Sequence, residues 1–211
     1  MSSILSPKQP NVVGYWPFNE ASGSTTYDYS DLTNNGTITG ATYNKIQDGE
    51  YVLDFNGSSD TLDFSSSIID TSSSFSASYW VNLDVDSTNQ IMIGNGDNTN
   101  GWYMFFVGGS NYIRSKMGSV SHDSDTINLT AGSWFHIVAT YDGSTYKVYI
   151  NGEEFQSVSA TGVVANDNFY IGYWGATPGL YVNGKMRLPI LYDAALSADE
   201  VKKLYQEQYI N

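Results

Sequence analysis

The stretch YDGSTYKVYINGEEFQ, residues 141–156, decides the fold. Tyr146, Val148 and Ile150 fall on one side of an extended chain and Thr145, Lys147 and Tyr149 on the other, the two-residue period of a half-buried strand. Asn151-Gly152 then supplies the two positive-φ residues of a type I′ turn. Upstream, Asp142-Gly143-Ser144 reads as another tight connection. Three consecutive antiparallel strands are therefore expected here, with their aromatics used for core and cross-strand packing.

Working outward, short alternating apolar runs broken by Gly, Asn, Asp and Ser recur along most of the chain. Strands are predicted over 12–18, 51–55, 75–83, 91–94, 102–107, 112–117, 134–141, 146–150, 154–158, 169–173 and 185–192. No linker and no repeat of fixed period interrupts them. The Pro-bearing start reads as an N-terminal arm over residues 1–11, followed by one domain over 12–211. One helix is predicted at the end. Ser197 caps it, Glu200 closes a capping box, Leu196 and Val201 form a hydrophobic staple, and Val201, Leu204 and Tyr205 make one apolar stripe.

Composition bounds the function. A chain of 211 residues suits one all-β domain large enough to need no disulfide or zinc staple. With no Cys, thiolate ligands and thiol nucleophiles are excluded. Nine Lys and Arg against 22 Asp and Glu give a formal charge of −13, which argues against nucleic acid and anionic membranes as partners. No apolar run approaches the ~20 residues of a membrane-spanning helix. Residues 1–11, MSSILSPKQPN, lack the features of a secretory signal, so the expectation is a product made without one.

The order of segments resembles the laminin-G-like, concanavalin A-like lectin/glucanase jelly-roll family. The residues that carry the resemblance are VGYWPFNEASGSTTYDYSDLTNNGTITG, YVLDFNGSSDTLDF, FSASYWVNL, GSWFHIVATYDGSTYKVYINGEEFQ, FYIGYW and GKMRLPILYDAALSADEVKKLY, spanning Val12 to Tyr205. The resemblance implies an all-β, antiparallel two-sheet jelly-roll sandwich with a short C-terminal helix. There is one departure. Relatives usually carry acidic residues after the Gly-Lys of the last strand, where they support a calcium ion or anchor a loop, and here Met186-Arg187-Leu188-Pro189 stands instead. Pro189 removes a ladder donor and so marks an edge or a bulge.

Enzymes of this fold set acidic residues at alternate positions of one strand, and retaining glycosidases need two carboxyls only ~5 Å apart. None of the six Glu falls in such a pattern, and Asp84 and Asp86 look like a solvated strand edge, so no catalytic residue is expected. His136 reads as a packing residue of its strand, and His122 as part of a polar loop with Asp123 and Asp125. A Ca2+ site is expected, if at all, at Asn95, Asp97 and Thr99 in GNGDNTNG, where oxygen ligands alternate, or in the turn of Asp28 and Asp31.

Sugars present C–H faces that pack on aromatic rings and hydroxyls that need polar partners. Trp102, Tyr103, Tyr112, Tyr173 and Trp174 border polar loops and are the expected ligand-binding residues. Together these features predict a non-catalytic recognition or adhesive module, with a glycan or other surface ligand, displayed on a virion or extracellular surface. Subunits of a larger particle are further expected partners. The competing expectations are a glycoside hydrolase or lyase and a purely structural subunit-contact protein.

Overall fold

The computed structural model describes residues 11–46, 49–96, 99–165, 167–174 and 179–208. In chain order the strands are β1 (Val12–Tyr15), β2 (Thr25–Thr26), β3 (Gly36–Thr39), β4 (Thr42–Lys45), β5 (Tyr51–Asn56), β6 (Thr61–Phe64), β7 (Phe75–Leu83) and β8 (Gln90–Gly96). They continue as β9 (Gly101–Val107), β10 (Tyr112–Met117), β11 (Val120–Asp123), β12 (Phe135–Tyr141), β13 (Thr145–Ile150), β14 (Glu153–Ser159), β15 (Phe169–Ile171) and β16 (Asn183–Tyr192). Helix α1 (Ala198–Gln208) follows.

These strands form two antiparallel sheets. Sheet A runs β14-β13-β12-β7-β16-β5-β4, with β1 also on β16, and sheet B runs β11-β10-β9-β8-β15-β6-β3-β2. Between them lies one aromatic-rich core. Trp16, for example, packs against Phe64 and Phe169 at 4.6 and 5.9 Å and donates through Nε1 to Asn34 O at 2.8 Å. The predicted sandwich with its short C-terminal helix is the observed fold. The arm at residues 1–10 lies outside the described residues.

The hairpin that opened the reading is present. Asn151 and Gly152 hold φ of 51° and 82°, and Asn151 Oδ1 accepts from His136 N at 2.9 Å, tying the turn to β12. Asp142 closes the preceding turn by accepting from the backbone N–H groups of Ser144 and Thr145. At the helix start, Ser197 N and Oγ donate to Glu200 Oε2 at 2.8 and 2.7 Å, and Glu200 N donates back to Ser197 Oγ at 3.3 Å.

Pro189 marks a bulge in a central strand. β16 pairs with β5 through Met186 and with β1 from Ile190, and its register against β7 shifts between Arg187 and Ile190. Leu188 takes φ 50° there, and the Pro189 carbonyl accepts from Trp16 N at 3.1 Å. Strand β1 stops at Tyr15 rather than at residue 18, because Phe18 turns the chain with φ 58°.

Candidate functional site

Register across six adjacent strands lays a row of residues straight across the outer face of sheet B. Lys116 pairs with Tyr103, Tyr103 with Gly94, Gly94 with Tyr170, Tyr170 with Asp63, and Asp63 with Thr37. The row is closed at Gly94: a Cβ there would lie 2.3 Å from that of Tyr103 and 2.7 Å from the Trp102 carbonyl oxygen. Beside this gap Trp174 stacks on Tyr103 at 5.1 Å and donates through Nε1 to Gly96 O at 3.2 Å. Ile91, Phe105, Tyr170 and Trp174 complete a second apolar cluster separated from the main core by the sheet itself.

The two ends of the row differ. At the β10 end, Arg114 lies over Phe105 and Tyr112 at 5.5 and 5.6 Å, and Lys116 over Tyr103 at 5.8 Å. Arg114 also donates to Asp123, through Nη2 at 2.6 Å and through Nε, which raises its own pKa and lowers that of Asp123. At the β6 end, Tyr173 and Tyr181 stack at 6.1 Å with planes 12° apart, and both are half-buried. The Tyr173 hydroxyl donates to Asp63, whose other oxygen accepts from Thr61 Oγ1 at 2.8 Å. Burial, then the Asp63 hydrogen bond, pushes the Tyr173 phenol well above its usual range. Thr37 and Thr39, opposite Asp63 and Thr61 on β3, are exposed.

Four of the five expected ligand-binding residues thus meet on one face: Tyr103, Tyr112, Tyr173 and Trp174. Trp102 does not. It is wholly buried between the sheets, edge-on to Phe75 at 5.1 Å and donating through Nε1 to the Tyr146 hydroxyl at 3.0 Å. Neighbours on a strand point to opposite faces, so Trp102 and Tyr103 cannot share a surface. Tyr181 and Asp63 belong to the site although neither was singled out from the sequence.

The expected calcium ligands are differently engaged. Asn95 is buried and its Nδ2 donates to Ser67 O and Ile69 O at 3.0 and 3.1 Å, a clamp on the 67–69 turn. Asp97 lies outside the described residues, and Thr99 is exposed. Asp28 is a loop anchor: its carboxylate accepts from Tyr15 N, Ser30 N, Ser30 Oγ and Asn34 N at 2.7–2.9 Å. Among the described residues no three His, Asp or Glu side chains gather into a cation cluster.

Some carboxylates elsewhere are matched by cations. Lys185 Nζ stands 3.1 Å from Asp84 and 3.6 Å from Asp54, while Glu153 and Glu154 meet Lys202 and Lys147 at 2.9 and 2.7 Å. Of the two histidines, His136 packs in its strand as expected, bonded to Ser78 Oγ at 2.8 Å. His122 departs from the loop expectation: it lies on β11, its partner across the ladder is Ser115, and Asp123 turns to the opposite face toward Arg114.

Solved structures of several kinds share this architecture. Domain 4 of an extracellular arabinanase from Geobacillus stearothermophilus, in complex with arabinotriose, superposes with a TM-score of 0.73 at 23% identity over 94% of this chain and 100% of that one. The binding domain of Paraclostridial Mosquitocidal Protein 1 gives 0.74 at 19% identity, over 92% and 52%. A Trypanosoma rangeli sialidase in complex with sialic acid gives 0.73 at 16%, over 98% and 34%, so this chain spans about half of the one and a third of the other. At these identities the likeness is one of fold. No curated protein matches the sequence. A family profile described as Laminin_G_3, concanavalin A-like lectin/glucanases superfamily, matches residues 56–202, and the chain belongs to that family.

Proposed function

We propose that this domain is a non-catalytic recognition module that binds a neutral glycan on the outer face of sheet B, at the Tyr173–Tyr181–Asp63 end of the aromatic row. One observation carries the reading: two parallel, half-buried tyrosine rings stand beside a carboxylate and a two-by-two patch of Thr37, Thr39, Thr61 and Asp63. Rings meet sugar C–H faces, and the patch meets hydroxyls. A neutral ligand follows from the charges. Every described Lys and Arg is ion-paired or rests on an aromatic ring, and the net charge of −13 repels polyanions. The arabinotriose bound to the arabinanase domain is a ligand of this chemical kind.

The absence of catalysis is part of the proposal, supported by the engagement of each Glu: Glu20 with the Tyr27 amide, Glu50 with Arg187, Glu153 and Glu154 with lysines, Glu200 as a cap, Glu207 with Lys203. Display on a virion or extracellular surface extends the same reading, and peptide mass spectrometry of purified particles tests it. The primary experiment is a neutral-glycan panel on purified protein, run with calcium and with chelator, which also tests the expected Ca2+ dependence. Tyr173→Ala/Tyr181→Ala should lose at least about tenfold in affinity, roughly 1.4 kcal/mol. Unchanged binding by that variant sinks the site, and polysaccharide turnover abolished by Asp84→Asn or Asp86→Asn moves the protein to the enzyme class.

A second reading has its own observation. Tyr27, Tyr29 and Leu32 are 53%, 45% and 55% exposed on the loop that Asp28 anchors, a surface suited to subunit contacts. Concentration-dependent mass in solution, reversed by Tyr29→Ser/Leu32→Ser, is its expected signature.

A further inference from the structure

Strands β11 and β14 are terminal strands of sheets B and A, and the open side of the sandwich brings them together. A side chain bridges the join: Gln156 Nε2 donates to Asp123 O at 2.7 Å. Next to that bond lies a cleft of about 220 Å³ lined by Val120, His122, Ser159, Ala160 and Thr161. Binding sites for drug-sized molecules run to about 300–1,000 Å³, so this one has room for a single small ring.

One polar atom of the lining residues is buried without a partner, His122 Nε2, and a second, Gln156 Oε1, belongs to the side chain that bridges the join. A buried polar atom left unpaired costs about 1–3 kcal/mol, which a hydrogen-bonding ligand or a water recovers. Gln156 Oε1 accepts only, and a neutral imidazole nitrogen donates or accepts according to its tautomer. Ser159 and Thr161 add hydroxyls that do both. This mixed set matches hydroxyl groups. A cation is disfavoured because none of the lining residues is Asp or Glu, and Asp123, next to His122 in the chain, is committed to Arg114 on the other face. An anion is disfavoured because none of the lining residues is Lys or Arg. Val120, 55% exposed, and Ala160 supply an apolar wall.

We propose that this inter-sheet cleft is a second, edge subsite that takes one neutral pyranose ring, with His122 Nε2 hydrogen-bonded to a ring hydroxyl and Val120 and Ala160 against the C–H face. The ligand class rests on the glycan reading above, while the site is separate from the tyrosine face. Burial holds the His122 imidazole below its ordinary pKa against the opposing pull of Asp123, so the ring is neutral at pH 7.

The chain has two histidines, and His136 is wholly buried, so the imidazole NMR signals of His122 report the cleft directly. The protein is titrated with methyl glucoside, galactoside and mannoside, with glycerol as an additive control. Saturable shifts of the His122 signals with at least one glycoside, none with glycerol, and retention of those shifts in Tyr173→Ala/Tyr181→Ala are expected. His122→Phe and Ala160→Trp, each checked for an intact fold by its thermal melt, should weaken that glycoside at least about tenfold. If glycans bind the tyrosine face while His122 stays silent, the edge subsite is wrong and the face stands. Linear, unsaturating shifts overturn it equally, and a protein that binds no sugar at either place overturns both.

Discussion

The two outer faces of this sandwich are built from the same materials and finished differently. On sheet A, His136, Trp80 and Arg187 form a row directly across three strands, with Arg187 over the Trp80 and Trp134 rings at 4.5 and 5.3 Å. On sheet B, Lys116, Tyr103, Gly94 and Tyr170 form the corresponding row, with Arg114 over Phe105 and Tyr112. Helix α1 seals the first. Val201 packs on Val138 and Tyr149, Leu204 on Ile190 and Tyr192, and Tyr205 stacks on Trp80 and His136. Among the described residues no helix covers the second, and its Arg114 side chain stays 33% exposed where that of Arg187 is 2%. Cation–aromatic layers therefore have no fixed meaning: what lies over them decides whether they hold the fold or remain open to a ligand.

Arginine substitution breaks this comparison with the largest effect. Arg187 Nη2 donates to the Gln208 carbonyl at the helix C-terminus at 3.0 Å, Nη1 meets Glu50 at 3.2 Å, and Trp80 Nε1 reaches Gln208 Oε1 at 2.9 Å. Burial pulls the guanidinium down to about 10, still protonated at neutral pH, with Glu50 opposing the shift. Arg187→Ala leaves Gln208 O without its donor and a void between two tryptophans, so a loss of about 3–5 kcal/mol is expected in denaturant melts. Arg114→Ala, whose ion pair is exposed, should cost about 0–1 kcal/mol. Equal losses would show that the two faces are not divided between stability and recognition.

The next largest effect is a pH dependence. Burial, reinforced by the Arg187 charge, depresses the His136 imidazole to about 3 against an ordinary 6.5. The folded state therefore stays neutral while the unfolded chain takes up a proton. Stability is fully present above pH 6.5 and falls as the pH drops toward 3. Between pH 7 and 5 the loss attributable to His136 is roughly 2 kcal/mol. His122, also lowered, adds a smaller slope of the same sign. The carboxylates that hydrogen bonds hold low, Asp70 and Asp142, lose their stabilising contribution only at more acid pH. Stability measured across this window should flatten in His136→Gln, even though that variant is weaker overall. An unaltered slope would place the titration elsewhere.

Legibility in the sequence followed the range of the interactions. The hairpin turn, the capping box and the staple are set by residues within a few positions of each other, and they stand as predicted. Strands β2, β3, β4, β6 and β11 did not declare themselves, because runs such as TT, GTIT and VSHD are too short or too polar to show an apolar period. The face row depends on register across six strands. Its parity is set in part by a bulge between Ile91 and Ile93, which no local pattern announces; alternation separates Trp102 from Tyr103 but does not say which of the two faces outward. Asp63 had a signal: in TLDF it alternates outward with Thr61, between the inward Leu62 and Phe64. Arg187 showed only as a missing acid, since its burial requires a helix that begins 11 residues later.

The smallest predicted effect tests whether that helix is a passive cover. Ser197→Ala removes the hydroxyl that accepts from Glu200 N and donates to its carboxylate, but leaves the Val201, Leu204 and Tyr205 contacts in place. Hydrogen bonds from Ser197 hold Glu200 below the usual carboxylate range, so part of the cap's contribution fades in acid. A loss of about 1 kcal/mol is expected at neutral pH. Because the helix packs on sheet A, affinity at the glycan site proposed on sheet B should be unchanged. A cap variant that stayed folded yet lost binding would mean that the sealed face and the open face communicate through the core, and the division between them would have to be redrawn as coupling.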